Sequence, residues 1–188
     1  MSTLRFLSPL RSALTAAVST LLLVTGCTGA PKGTQPIPAL DIERYLGKWY
    51  EIARFDHRFE RDLECVTAQY SMRDDGLIKV INRGRNRITQ QWKEAEGKAA
   101  PLSNPADGRL KVSFFGPFYS GYNVLVLDEA YRYALVVGPN RHYLWILSRT
   151  PTLDDDTYNA LVATAKSQGF DTAALQRVPQ DAENCATL

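Results

Sequence analysis

The chain has almost no excess of charge of either sign. Its 188 residues carry 22 lysines and arginines against 20 aspartates and glutamates, and two of those cations, Arg5 and Arg11, lie before residue 27. The rest of the chain is formally neutral, with 20 basic and 20 acidic side chains. A protein that binds nucleic acid needs cations to neutralise phosphates, and one that adheres to anionic lipid needs a basic cluster. We therefore expect no nucleic-acid partner and no electrostatic membrane binding.

Residues suited to catalysis or metal binding are equally scarce. The only two histidines, His57 and His142, are 85 positions apart. The chain has no Gly-x-Ser-x-Gly elbow, no glycine-rich phosphate loop and no His-Glu-x-x-His pattern. We therefore expect no catalytic residue, no metal site and no cofactor, so an enzyme is the least favoured class.

Long hydrophobic runs are absent except near the start of the chain. Arg5 and Arg11 form a basic beginning, and residues 14–24 form an apolar stretch that is shorter than the roughly 20 residues a membrane span needs. These features predict a secretory signal peptide over residues 1–26. It ends at residues 23–27 in Leu-Val-Thr-Gly-Cys, which resembles the lipobox of bacterial lipoproteins. The resemblance implies cleavage before Cys27 and fatty acylation (palmitate or similar) of that residue; an ordinary signal peptide with an incidental cysteine is the alternative.

Residues 27–39 are rich in proline and glycine and predict a lipidated tether rather than part of the fold. The folded body is then expected over residues 40–188. Thr28 stands where an aspartate would retain a lipoprotein in the inner membrane. The expected location is therefore the outer membrane, with a lipid anchor and with the body facing the periplasm.

Only two cysteines remain in the body, Cys65 and Cys185. An even pair in an oxidising compartment favours a structural disulfide. A metal site or a catalytic thiol is the alternative, but the two residues lie 120 positions apart and neither has a neighbouring histidine.

The body begins with short runs of β-type residues separated by turn signals. The predicted strands are residues 49–55, 65–72, 77–82, 88–100, 109–115, 122–127, 131–137 and 142–148. Short connections require antiparallel neighbours, since a parallel pair needs a long crossover. The fold class is therefore all-β, and both a sandwich and a closed up-and-down barrel satisfy the pattern.

One amphipathic helix is predicted after the strands. Residues 152–155 loosely fit a capping box that begins at Thr152, and three aspartates follow at 154–156. Tyr158, Leu161, Val162 and Ala165 share one face. Gly169 is the expected stop signal. A single helix after a set of strands is expected to pack outside them.

Four sequence blocks resemble the lipocalin family. Residues 47–54, Gly-Lys-Trp-Tyr-Glu-Ile-Ala-Arg, resemble its Gly-x-Trp signature, and residues 41–46 resemble its short leading helix. Residues 55–61, 111–119 and 143–151 resemble the bacterial lipocalins of the outer-membrane lipoprotein type, and the pattern is also similar to apolipoprotein D. The resemblance implies an eight-stranded antiparallel up-and-down β-barrel with a C-terminal α-helix packed outside.

The resemblance also implies roles for single residues. In lipocalins the first-strand tryptophan closes the narrow end of the barrel and an arginine at the end of the last strand lies across it. Gly47, Trp49 and Arg149 are therefore expected to be structural. A matching cysteine pair in apolipoprotein D implies that Cys65 and Cys185 are joined.

Strand alternation predicts the residues that line the barrel. If Arg149 points inward to meet Trp49, the period of two brings Trp145 and Tyr143 inward as well. The expected ligand-binding residues are Phe55, Phe114, Tyr143 and Trp145, with Phe118 and Tyr122 as candidates at the mouth and with Arg58 or Arg61 adding charge there.

An aromatic, partly hydroxylated lumen suits an amphiphile. The expected function is storage or transport of fatty acids, lysophospholipids or similar amphiphiles by a membrane-anchored monomer or homodimer. Two alternatives remain: a structural envelope lipoprotein with a packed lumen, and a lipid-modifying enzyme.

Overall fold

The structure is a computed structural model that describes residues 28–185, the side chains of Ala182 and Asn184 excepted. The predicted signal peptide and Cys27 lie outside the described residues.

Eight antiparallel strands close into a barrel. They are β1 (Gly47–Phe55), β2 (Leu63–Met72), β3 (Ile78–Asn86), β4 (Trp92–Pro101), β5 (Arg109–Phe115), β6 (Phe118–Leu127), β7 (Tyr133–Val137) and β8 (Leu144–Ser148). Each strand pairs with the next, and β1 pairs with both β8 and β2. Closure leaves these eight strands no free edge, which a sandwich would not achieve. The predicted all-β barrel is confirmed.

The limits of some strands differ from the prediction, because backbone pairing continues through residues that favour a turn. Residues 83–86 read as a turn, but they continue β3, and Arg85 pairs with Trp92 at the start of β4. Residues 87–91, predicted as strand, form the connection instead. Likewise β6 begins at Phe118 rather than Tyr122, because Phe118 already pairs with Phe115.

The two ends of the barrel are different. At one end, which we call the closed end, the short helix α1 (Ile42–Tyr45) precedes β1 and is hydrogen-bonded to the connection at 128–132; the connections at 73–77 and 102–108 lie at the same end. At the other end, the mouth, lie the connections at 56–62, 87–91, 116–117 and 138–143. Successive antiparallel strands run in opposite directions, so successive connections lie alternately at the two ends of the barrel.

The helix α2 (Asp155–Ser167) packs outside the barrel, as predicted. Its buried Leu161 and Ala165 belong to a cluster with Phe55 and Phe170. The cap is Asp154 and not Thr152: the Asp154 carboxylate accepts a hydrogen bond from the backbone N–H of Thr157 at 2.8 Å. The helix begins at Asp155, two residues later than a Thr152 cap requires, and a carboxylate there also suits the positive end of the helix dipole.

The C-terminal tail returns along β1. Strand β9 (Leu175–Arg177) pairs with the end of β1, and the last helix, α3 (Ala182–Cys185), brings the tail to β2. The predicted disulfide between Cys65 and Cys185 is present, with the two Cα atoms 5.3 Å apart. The tail also accepts a hydrogen bond from the Cys65 N–H at the carbonyl of Pro179, 2.8 Å away.

The segment predicted as a tether lies against the barrel. The N–H of Ile37 donates to the Val124 carbonyl at 2.9 Å, and the N–H of Gly108 donates to the Ile37 carbonyl at 2.8 Å. Pro31 is buried. Proline and glycine content is typical of a tether, but here these residues satisfy backbone groups at the barrel wall, so the packed chain begins well before Leu40. Among residues 28–185, no helix is long and apolar enough to cross a membrane.

Candidate ligand-binding cavity

The barrel encloses a cavity of about 630 Å³ that opens at the mouth. Cavities that bind small ligands have volumes of roughly 300–1,000 Å³ and are mostly apolar. The wall is formed by residues from seven of the eight strands, all but β7, among them Val80, Leu110, Val112, Phe114, Trp145 and Leu147. Trp145 and Tyr143 do line the cavity, as strand alternation predicted, and Leu147 lies on the same face.

Trp49 and Arg149 seal the closed end. Trp49 is fully buried, and the Arg149 guanidinium carbon lies 3.9 Å from the centroid of its ring. The guanidinium also donates to the carbonyls of Lys48 at 2.9 Å and Arg44 at 2.7 Å. Gly47 has a φ of +92°, and a Cβ there would lie 3.3 Å from the guanidinium, so glycine suits both the backbone and the contact. The predicted contact between Trp49 and Arg149 is present.

Above this seal, three tyrosine hydroxyls form a network on the floor of the cavity. The Oη atom of Tyr122 lies 2.6 Å from that of Tyr45 and 3.1 Å from that of Tyr70. Burial raises the pKa of Tyr70 to about 12 and the pKa values of Tyr45 and Tyr122 well above the usual range, so all three stay neutral. Tyr122 therefore lines the cavity, but it lies at the floor and not at the mouth, because β6 starts four residues earlier than predicted.

Phe55 does not line the cavity, and this part of the prediction is wrong. The register between β1 and β8 shifts between Glu51 and Ala53, which marks a β-bulge. Beyond the bulge Arg54 pairs with the inward-facing Trp145, so Phe55 faces outward and contacts Phe170, with the ring centroids 6.5 Å apart. One extra residue in a strand reverses the alternation on which the prediction was based.

The same bulge creates a buried polar cluster of Glu51, Arg54, His57 and Glu60. Arg54 donates to the Glu51 carboxylate at 2.7 Å and to the Glu60 carbonyl at 2.7 Å. The Nδ1 atom of His57 lies 3.2 Å from the Glu60 carboxylate but without hydrogen-bond geometry. Burial, and then repulsion from Glu60, raises the pKa of Glu51 well above its usual value, although Arg54 opposes this. Glu51 and Glu60 both line the cavity.

Sequence reasoning missed most of this cluster. Alternation does place Glu51 on the face of Trp49, but Arg54 becomes an interior residue only through the bulge. Glu60 reaches the lumen from the loop, where its carboxylate accepts a hydrogen bond from Trp145 Nε1 at 3.1 Å across 85 positions. No local pattern indicates a contact over that separation.

Aromatic side chains form the mouth of the cavity. Phe59, Phe115 and Phe118 line it there and are largely exposed, and the Tyr143 ring packs against His57 in a tilted arrangement, with 5.1 Å between ring centroids. The predicted position of Phe118 at the mouth agrees with this arrangement. Arg58 and Arg61, predicted to add charge to the site, are not among the lining residues, and Arg61 is paired with Asp56 at 2.9 Å.

A closed eight-stranded barrel with a plugged end, an apolar lumen and an outer helix defines a lipocalin. In agreement, the family model described as "Lipocalin-like domain" matches residues 40–180, and the chain belongs to that family. The solved structure of insecticyanin from the tobacco hornworm Manduca sexta superposes with a TM-score of 0.67 at 19% identity, over 84% of this chain and 90% of that one.

Sequence relatives narrow the type of lipocalin. The chain is 54% identical to the outer membrane lipoprotein Blc of Citrobacter freundii over 167 residues, which are 88% of this chain and 94% of that protein. Apolipoprotein D of Rattus norvegicus is 33% identical over 153 residues, 77% of this chain and 78% of that protein. With the lipobox-like residues 23–27, these relatives assign the chain to the outer membrane, held by a lipid anchor.

Proposed function

We propose that this lipocalin stores or carries fatty acids, lysophospholipids or similar amphiphiles in its barrel, while acylated Cys27 anchors it to the membrane with the body on the periplasmic side. The observation that carries the proposal is the cavity of about 630 Å³, whose wall is mostly apolar and extends to the exposed aromatic side chains of the mouth. A ligand enters there because Trp49 and Arg149 block the other end.

The apolar wall supplies the affinity. Each buried CH₂ of an acyl chain contributes about 0.8 kcal/mol before the cost of immobilising the ligand. About a dozen carbons therefore support micromolar binding without any polar contact. An apolar wall distinguishes one methylene by only about 1–3 kcal/mol, so we expect loose selectivity among chain lengths.

Polar groups along the wall would orient the head group. Within residues 28–185, Ser113 Oγ and Asn82 Oδ1 are buried without a hydrogen-bond partner, and both residues line the cavity. A buried polar atom without a partner costs free energy, so a ligand hydroxyl that donates to Asn82 Oδ1, or an ester or phosphate oxygen that accepts from Ser113 Oγ, would gain from relieving that cost. Tyr143, at the mouth, offers a further hydroxyl.

The alternative of a packed lumen is disfavoured by the same cavity. A structural barrel would fill its interior with its own side chains to the density of an ordinary core. Catalysis is not part of the proposal, because the family of the chain and the names of its relatives point to binding proteins.

Fluorescence titration tests the binding proposal. Fatty acids and lysophospholipids are titrated while tryptophan emission is followed in the parent chain and in two matched variants, Trp145→Phe and Trp92→Phe. Trp145 lines the cavity, whereas Trp92 stacks under Arg83 and is not a lining residue. We expect the lipid-dependent signal to persist in Trp92→Phe and to be lost in Trp145→Phe.

Affinity measured without fluorescence completes this test. Trp145→Ala should weaken lipid binding by removing a large part of the wall, and Trp92→Ala should not. If no lipid changes the emission and Trp145→Ala leaves lipid affinity unchanged, the packed-lumen alternative replaces the proposal.

Mass spectrometry of the mature N-terminus tests the anchor. We expect an acylated Cys27 as the first residue, and a Cys27→Ala variant should lose acylation and no longer partition with the membrane. A mature chain that begins elsewhere, with Cys27 unmodified, would rule out this anchor.

A further inference from the structure

Large exposed hydrophobic side chains are concentrated at one end of the molecule. Among residues 28–185, six are exposed, and four of them lie on the mouth: Phe59 (62% exposed), Ile88 (71%), Phe115 (83%) and Phe118 (71%). We call these four the apolar rim. The other two, Met72 (44%) and Leu102 (39%), lie at the closed end and are less exposed. Clustered exposed apolar groups mark an interaction surface more often than scattered ones do.

The rim is spread over three separate loops. Phe59 belongs to the loop at 56–62, Ile88 to the loop at 87–91, and Phe115 and Phe118 flank the turn at 116–117. Ile88 is not a lining residue of the cavity, so ligand binding does not account for its exposure. Side chains on several loops around one opening suit a broad apolar surface better than a single peptide.

The charges near the rim are compensated. Arg61 pairs with Asp56 at 2.9 Å on the loop of Phe59, and Arg87 pairs with Asp62 at 2.9 Å beside Ile88. Asp56 and Asp62 therefore each carry a cationic partner and Glu60, the other acid of these loops, is buried, so a negatively charged surface would meet little repulsion from them.

The N-terminal segment shows where the anchor begins. A Cβ at Gly121 would lie 2.8 Å from the carbonyl oxygens of Thr28 and Gly29, so these residues run close against β6, three residues from Phe118. At about 3.3 Å per residue, that point is about 10 Å along the strand from the rim. Asn123 Nδ2 donates to the carbonyls of Gly29 at 3.4 Å and Gly138 at 3.2 Å, which joins the segment to a mouth loop.

A second contact fixes the same position. The Arg141 guanidinium, on the mouth loop at 138–143, donates to the Lys32 carbonyl at 2.7 Å. From Lys32 the segment runs toward the closed end, where the N–H of Leu40 donates to the Ala106 carbonyl at 2.9 Å. Thr28 therefore lies on the mouth side of the barrel, and in the sequence it directly follows Cys27, the proposed point of lipid attachment.

We propose that the apolar rim docks on the surface of the lipid bilayer that holds the anchor, so that the mouth of the cavity faces the membrane. The proposal rests on the lipid anchor of the proposed function. Anchoring beside the mouth raises the effective concentration of the rim at the bilayer, so weak insertion of four side chains suffices. An amphiphile then passes between bilayer and cavity without crossing water with its acyl chain exposed.

A second copy of the chain is a less suitable occupant. Two barrels joined mouth to mouth would each place an anchor start at the shared interface, and the acyl chains would have to leave it sideways to reach a membrane. When the mouth docks on the bilayer, a single orientation of the barrel lets the lipid anchor insert and lets the apolar rim contact lipid.

The test uses the full lipidated chain in vesicles of phosphatidylethanolamine and phosphatidylglycerol that contain lipids brominated on their acyl chains. Bromine quenches tryptophan only at short range, so a tryptophan reporter measures insertion. Ile88→Trp places the reporter on the rim and Leu102→Trp places it at the closed end, and neither residue lines the cavity. Emission of the native tryptophans is subtracted with the parent chain.

We expect severalfold stronger quenching at position 88 than at position 102. Equal quenching at both positions, or none at position 88, would overturn the proposal. If the chain forms a dimer through its mouth and position 88 is not quenched, the docking proposal is overturned, and a second copy of the chain covers the rim.

Transfer kinetics give an independent readout. Ile88→Ser, at the rim residue that does not line the cavity, should slow transfer of a bound fluorescent lysophospholipid to vesicles severalfold, whereas Leu102→Ser at the closed end should leave the transfer rate unchanged. An unchanged transfer rate in the rim variant would contradict the docking proposal even if titration still detects lipid binding. Failure of the docking surface is therefore distinguishable from failure of the binding function.

Discussion

The closed end and the mouth of this barrel are built from opposite kinds of contact. At the closed end Trp49 is fully buried under Arg149, and the hydroxyls of Tyr45, Tyr70 and Tyr122 bond to one another. At the mouth Phe115 is 83% exposed. The buried polar cluster near the mouth includes His57 and Glu60 of the loop at 56–62, and the C-terminal tail is linked to β2 by the disulfide. We infer that the stabilising aromatic contacts of the lumen are concentrated at the closed end, whereas the exposed aromatic side chains of the mouth are free to form an apolar surface.

The largest test of this comparison removes one aromatic ring from each end. Trp49→Ala should lower the free energy of unfolding by about 3–5 kcal/mol, because it empties a buried site and strips Arg149 of its partner. Phe115→Ala should change it by no more than about 0.5 kcal/mol, since its ring is exposed. Denaturant unfolding of both variants measures the contrast, and similar losses would contradict the assignment of stability to the closed end.

Breaking the disulfide should loosen the mouth and spare the closed end. Cys185→Ser releases the tail from Cys65, with an expected loss of about 2–4 kcal/mol. The chain-entropy model alone predicts more for this separation, but hydrogen bonds from Cys65 N–H and Gln180 also hold the tail. Hydrogen exchange should accelerate at the start of β2 and in residues 178–180, and not around Trp49.

The double variant provides the control for this experiment. Cys65→Ser with Cys185→Ser should be no less stable than the more damaging of the two single variants, because all three lose the same bond. A much larger loss in the double variant would mean that one cysteine contributes mainly by packing.

Removing one tyrosine hydroxyl from each end gives a smaller contrast. Tyr122→Phe takes the central hydroxyl from the floor network and leaves Tyr45 and Tyr70 without their shared partner, at a cost of about 1–2 kcal/mol. Tyr119→Phe, nearer the mouth, should cost no more than about 0.5 kcal/mol, because its hydroxyl has no comparable network. If both variants lose the same free energy of unfolding in thermal or denaturant experiments, the hydroxyl network on the floor does not stabilise the fold.

The smallest expected effect is a pH dependence from the buried polar cluster. Burial raises the folded-state pKa of Glu51, so the folded protein binds a proton that the unfolded chain has released. The stability linked to this proton is full below the ordinary pKa of glutamate, about 4.3, and is lost as the pH rises toward the folded pKa. The advantage of the parent chain over Glu51→Gln in free energy of unfolding should therefore shrink as the pH is raised from acid to neutral. A difference that grows with pH would show that the pairing with Arg54 outweighs burial.

Several features were predictable because they depend on local patterns or on few possibilities. Turn signals and alternating side chains marked all eight strands, and the signature around Gly47 and Trp49 indicated the closed barrel that periodicity alone left open. With one cysteine assigned to the lipid, Cys65 and Cys185 had only each other as partners. The inner face of β8 also followed from alternation, because that strand runs without a bulge from Leu144 to Ser148.

The sequence by itself determined the order of the strands, the residues that plug the closed end and the inward face of Trp145. The tertiary structure alone decided three things: the bulge that turned Phe55 outward and Arg54 inward, the burial of His57 and Glu60, and the course of residues 28–40 along β6. The physical reason is the range of the forces involved. Alternation of side chains is set within one strand, whereas a bulge depends on the hydrogen-bond register with β8. A segment rich in proline and glycine packs against the barrel only where distant strands offer carbonyl and N–H groups that can bond to it.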